Sequence, residues 1–199
     1  MPGVVSPTTV PFGAGPVPYA RLVLSGTTGW LVEVDRTVTD RAQLVDGTWR
    51  PWKPPCLDAN GPMRLAASSA SSLVAACDVG VWSTPTGVHL YASADGGTSF
   101  TEAQSKVPVF DLQGVAATPS VTVVGGSLSG VGSALLATFD GGRSWAAVHV
   151  LQGAGSFDDL GFTTPDQGVA ITSSGSGDGQ LLMTHDEGRT WVQVVVAGP

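Results

Sequence analysis

The phrase Ser93-Ala94-Asp95-Gly96-Gly97-Thr98-Ser99-Phe100 returns twice further along the chain. It recurs as Thr138-Phe139-Asp140-Gly141-Gly142-Arg143-Ser144-Trp145 and as Thr184-His185-Asp186-Glu187-Gly188-Arg189-Thr190-Trp191. Asp95, Asp140 and Asp186 stand 45 and 46 positions apart. A fixed period of this size marks one supersecondary unit copied in series. Each phrase is expected to form a tight turn. The Asp carboxylate can accept from backbone N–H groups ahead of it, and the Ser or Thr two residues earlier can join the network. Gly97, Gly142 and Gly188 supply positive φ at no steric cost. Phe100, Trp145 and Trp191 open the next strand and pack their rings on a neighbouring sheet.

Working outward, each unit reads as four short strands. In the third, they fall at 115–117, 120–124 (ending at Gly125-Gly126), 133–138 and 144–148. The near-continuous apolar runs suit strands buried on both faces. The second unit runs 63–67, 73–77, 88–92 and 99–101, and the fourth 157–162, 168–172, 180–184 and 190–196. A worn first unit lies upstream, at 19–24, 29–34, 41–45 and 48–49. Its turn is Asp46-Gly47, a two-residue hairpin signal, and Trp49 after it is expected to pack as a box tryptophan. The chain is thus expected to be all-β, with residues 1–18 a proline-rich lead and four units at about 19–55, 56–105, 106–152 and 153–199. Composition agrees. The 199 residues include 27 Gly, 13% charged and 42% hydrophobic residues, a balance suited to many half-buried strands joined by tight turns.

Three copies of S/T-x-D-x-G-x-S/T-W/F resemble the Asp-box, or bacterial neuraminidase (BNR), repeat. The resemblance covers nearly the whole chain after residue 18. It implies β-propeller blades of four antiparallel strands, with Ser93, Asp95, Gly97, Phe100, Thr138, Asp140, Gly142, Trp145, Thr184, Asp186, Gly188 and Trp191 as structural box residues on the hairpin between strands three and four. Of two families with such boxes, the chain is more similar to the photosystem II stability and assembly factor branch than to the sialidases. That branch includes exported actinobacterial members with a paired cysteine. Propellers have four to eight blades, so four units form either a partial propeller or a small four-bladed ring. A partial arc would expose its terminal sheet faces, open to residues 4–12 or to self-association through the open blade edges.

Charge and cysteine content narrow the partners. A formal net charge of −7 with nine scattered basic residues argues against nucleic acid. No apolar run is long enough to span a membrane, and residues 1–18 lack the basic and apolar regions of a secretion signal. Cys56 and Cys77 permit one disulfide in an oxidising compartment, extracellular or cell envelope; two free thiols are the other reading.

Catalytic signals are sparse. Sialidase chemistry needs clustered arginines for the substrate carboxylate and a Tyr–Glu nucleophile with an acidic partner. The seven arginines are dispersed, Arg143 and Arg189 fall inside the boxes, and only Tyr19 and Tyr91 are available. Asp158 and Asp159 adjoin on one strand and point to opposite faces. His89, His149 and His185 lack ligand spacing, and the loop at Asp178 lacks alternating oxygen donors. No metal or cofactor is expected. Trp30, Trp52 and Trp82 fall outside box positions and are candidates for a binding surface for sugar or peptide. The expected function is a non-catalytic binding or assembly scaffold with a protein or glycan partner. The alternatives are a sialidase-type hydrolase whose catalytic residues are missing from this chain and a lectin-like glycan-binding module.

Overall fold

The computed structural model describes residues 19–35, 37–56, 62–79, 87–174 and 179–195. The proline-rich lead, Trp82 and Asp178 fall outside them. Sixteen strands in the described residues form four antiparallel sheets, each a meander in chain order. Blade 1 holds β1 (Tyr19–Ser25), β2 (Thr28–Asp35), β3 (Thr37–Val45) and β4 (Thr48–Pro51). Blade 2 holds β5 (Met63–Ala67), β6 (Leu73–Asp78), β7 (Val88–Ser93) and β8 (Thr101–Glu102). Blade 3 holds β9 (Asp111–Ala117), β10 (Thr122–Leu128), β11 (Gly132–Thr138) and β12 (Ala146–Val150). Blade 4 holds β13 (Gly155–Phe162), β14 (Gly168–Ser174), β15 (Gln180–Thr184) and β16 (Val192–Val194).

Strand alternation sends successive side chains to opposite faces, and here both faces of the middle blades are covered. Trp30 and Val32 of blade 1 pack with Met63, Leu65, Leu73 and Ala75 of blade 2. The other face of blade 2, with Val74, Ala76 and Leu90, meets Leu112, Val115 and Val124 of blade 3. Val123, Leu135 and Ala137 of blade 3 then meet Phe157, Leu160, Ala170 and Leu182 of blade 4. This double burial is why β6 and β11 read as unbroken apolar runs. The four sheets are stacked side by side as propeller blades with β1, β5, β9 and β13 innermost. Among the described residues β1 packs on β5, β5 on β9 and β9 on β13, and no packing of that extent joins β13 to β1.

Three details depart from the sequence expectation. The second strand of the third unit does not stop at Gly125-Gly126. It continues to Leu128 through a register shift between those glycines. The backbone of Asp111 and the side chain of Val109 come so close to Gly126 that a Cβ there would lie 2.6 Å from Asp111 O. The pair therefore marks a bulge under close approach and not a strand end. Phe100, Trp145 and Trp191 stand one residue before their strands and not at the first strand position. Trp49, expected to pack as the worn unit's box residue, is exposed on β4, because among the described residues its side of blade 1 meets no other sheet. The Asp46-Gly47 turn has φ of 51° and 72°, the two left-handed residues of a type I′ hairpin.

Cys56, in the segment leaving blade 1, is bonded to Cys77 on β6, with Cα atoms 5.8 Å apart. The bond pins that segment against the blade 1–blade 2 seam, where both cysteines are buried. Closing a loop of this separation restricts the unfolded chain. Reduction is therefore expected to lower the unfolding free energy by about 3 kcal/mol, as measured by denaturant titration with and without dithiothreitol.

Candidate functional site

The three Asp-centred loops share one hydrogen-bond pattern. In the first, Ser93 Oγ donates to Asp95 Oδ1 (2.7 Å) and accepts from Gly97 N–H (2.8 Å). Ser99 then donates its amide to Oδ1 (2.9 Å) and its hydroxyl to Oδ2 (2.6 Å). The second repeats it with Thr138, Gly142 and Ser144 around Asp140. The third repeats it with Thr184, Gly188 and Thr190 around Asp186. Each aspartate needs both carboxylate oxygens and a hydroxyl neighbour on either side, which accounts for the spacing of the phrase. Two consecutive left-handed residues let the chain double back. Gly96 and Gly97 fill these places in the first loop, and Gly141 and Gly142 in the second. In the third, Glu187 takes the first place at φ 61°. At the second place a side chain has no room: a Cβ on Gly142 would sit 2.6 Å from Ala103 Cβ.

These bonds hold the aspartates ionised. Hydrogen bonds from Ser99, then Ser93, lower the Asp95 carboxyl to about 2. Those from Ser144, then Thr138, hold Asp140 well below the usual carboxylate range. For Asp186, desolvation pushes upward, but bonds from Thr190 and Thr184 outweigh it and leave the group at about 2.

The loops also reach across the seams. Trp30 Nε1 and Gln43 Nε2 of blade 1 both donate to Gly96 O (3.1 and 2.8 Å), and Trp52 Nε1 donates to Gly97 O (2.8 Å). Ser105, in the segment leaving blade 2, donates its amide and hydroxyl to Gly142 O (3.0 and 2.7 Å). Arg189 of the third loop stacks over the Phe139 ring of the second, 4.3 Å from its centroid. Trp30 and Trp52, expected as candidates for a binding surface, are instead 0% and 7% exposed. Their indole N–H groups need buried acceptors, and the glycine carbonyls of the next blade provide them. Sequence reasoning missed this because the tryptophans and the carbonyls they bond lie 45 and 66 residues apart.

Among the described residues, groups with catalytic potential do not converge. Tyr91 stands opposite Glu102 on the outer strands β7 and β8. Burial, then the Glu102 charge, raises the Tyr91 phenol above its ordinary value, the reverse of an activated nucleophile. Glu102 is paired with His89. Arg64 on β5 donates to the Gln113 carbonyl of β9 (3.1 Å), serving the seam. Among the described residues no group of three His, Cys, Asp or Glu side chains could hold a metal ion. Two open grooves flank the blade 1–blade 2 seam. One, of about 310 Å³, is lined by Lys53, Pro54, Pro55, Tyr91, Thr98, Ser99 and Phe100. The other, of about 570 Å³, lies over Gln43, Ser69, Ser71 and Asp95.

No protein-family model matches the sequence, and no curated protein is detectably similar to it. Solved structures are similar in fold. YCF48 from Cyanidioschyzon merolae is 16% identical with a TM-score of 0.56, covering 92% of this chain and 59% of that one. The GH74 xyloglucanase from Xanthomonas campestris is 14% identical with a TM-score of 0.57, covering 89% and 30%. The Aleuria aurantia lectin is 12% identical with a TM-score of 0.57, covering 90% and 62%. The chain spans less than two thirds of the length of each. The fold and its seams place this chain among the β-propellers.

The buried hydroxyl of Thr138 accepts from the Gly142 amide. Thr138→Val keeps the shape and strands that amide, so it is expected to cost about 2 kcal/mol in denaturant unfolding. A pH dependence follows from the carboxylates. Their folded pKa lies below the unfolded value of roughly 3.9, so the unfolded chain takes up protons first as pH falls. Stability is complete above about pH 4 and is lost on descent towards about 2. Melting temperature recorded across this window is expected to drop, with a shallower slope in Asp140→Asn.

Proposed function

We propose that this chain is a non-catalytic scaffold of the BNR/Asp-box type, exported to an oxidising compartment, that binds a protein partner. One observation carries the reading. The residues that give the repeat its chemical appearance are engaged with one another: both oxygens of Asp95, Asp140 and Asp186 are bonded within their own loops. Such loops hold shape and leave recognition to the surfaces between them.

The groove beside Phe100 fits an extended peptide. Pro54, Pro55, Tyr91 and Phe100 form apolar walls, while Lys53, Thr98 and Ser99 offer polar groups at the edge. Rigid aromatic walls with a few polar contacts are the usual composition of peptide-binding surfaces. The bonded Cys56–Cys77 pair supports the oxidising compartment. The glycan-binding alternative loses the support of Trp30 and Trp52, both buried.

The test is a peptide array and a glycan array probed with the intact chain, together with a fluorogenic sialoside. Binding to extended peptides, weakened about tenfold by Lys53→Glu together with Tyr91→Ala (about 1.4 kcal/mol), is the expected result. Sialoside hydrolysis, or binding confined to glycans, overturns the reading.

A further inference from the structure

Blades 1 and 4 each bury one face of their sheet and leave the other bare. In blade 1 the strand register places Leu22, Leu24, Leu31, Leu44 and Trp49 together, opposite the buried Trp30 and Val32. Two cross-strand rows, Leu24–Gly29–Leu44–Trp49 and Leu22–Leu31–Ala42–Pro51, contain no charged side chain. Leu24 is 59% and Trp49 44% exposed. In blade 4, Val169, Ile171, Leu181, Met183, Val192 and Val194 share the face opposite Ala170 and Leu182. There Ile171 is 44% and Val192 58% exposed. Scattered apolar residues on a surface need no account, but a contiguous apolar sheet face does.

The three internal seams say what covers such a face. At each one the leading face of one blade packs on the trailing face of the next. The trailing face of blade 1 and the leading face of blade 4 are the two halves of a fourth seam, and the described residues of one copy do not bring them together. The two-residue Asp46-Gly47 turn leaves no projecting loop over the blade 1 face. The geometry points to a second copy of this chain as the occupant. The leading face of blade 4 in each copy covers the trailing face of blade 1 in the other. Two such contacts close an eight-bladed ring with two-fold symmetry, within the usual range of blade number. A foreign partner would satisfy one face, whereas a second copy satisfies both with a single contact type that closes on itself.

Light scattering on the intact chain tests this. The expected mass is twice the 20.2 kDa of one chain, without larger species. Leu24→Glu spoils only the trailing face and Ile171→Glu only the leading face. Each alone is expected to halve the mass while circular dichroism and the melting transition stay close to those of the parent. Mixed together, they are expected to regain a dimer through one intact contact, which a face-to-face dimer could not do. A parent of single-chain mass at its highest soluble concentration overturns the proposal. So do an open-ended polymer, a variant that stays dimeric, or a mixture that remains monomeric.

Discussion

The arrangement hangs on one buried hydroxyl in each of three repeats. Ser93, Thr138 and Thr184 each accept from a glycine amide four residues on and donate to the carboxylate two residues on. All three are almost fully removed from solvent, where an unmet polar group is costly. The hydroxyl holds the glycine amide of the left-handed turn, and in the first two loops the glycine then turns its carbonyl towards the neighbouring blade. A local turn motif thereby becomes a contact between sheets. Remove the hydroxyl and the internal geometry of the loop and the seam it serves lose their common support.

The seams use that carbonyl differently. At the first, two indoles and an amide converge on Gly96 and Gly97. At the second, the amide and hydroxyl of Ser105 occupy Gly142 O, and the indole N–H of Trp145 is buried without an acceptor. In the third loop Trp191 Nε1 reaches Gly188 O of its own turn (3.2 Å). Blade 3 also faces that loop with His149, whose imidazole is pushed below its ordinary pKa by burial, opposed by a bond to the Trp191 backbone. Carbonyls at like places in the repeat therefore accept an aromatic, a hydroxyl or a residue of the same turn.

Much of the fold was legible from the chain because its signals are local. The phrase around Asp95, Asp140 and Asp186 specifies its own turn within eight residues, and apolar runs such as 133–138 announce strands covered on both sides. The Asp46-Gly47 hairpin was readable for the same reason. What escaped depends on contacts distant in sequence. The bulge at Gly125-Gly126 reflects the approach of Val109 and Asp111, which no local pattern encodes. Trp30 and Trp52 looked free because their acceptors belong to another repeat. Trp49 looked packed because the analogous residues elsewhere are, but its sheet face has no neighbouring sheet among the described residues.

Near-identical repeats run a risk while folding: a strand can dock into the wrong copy of its unit, or into another molecule, with little loss of local energy. The differing chemistry at the seams works against such exchange. Among the described residues only blade 1 offers paired indoles beside a cysteine tether, a match for blade 2 that the other seams lack. The worn first unit can then be understood as an address label: having given up the repeated clasp, it differs from the three units that keep it.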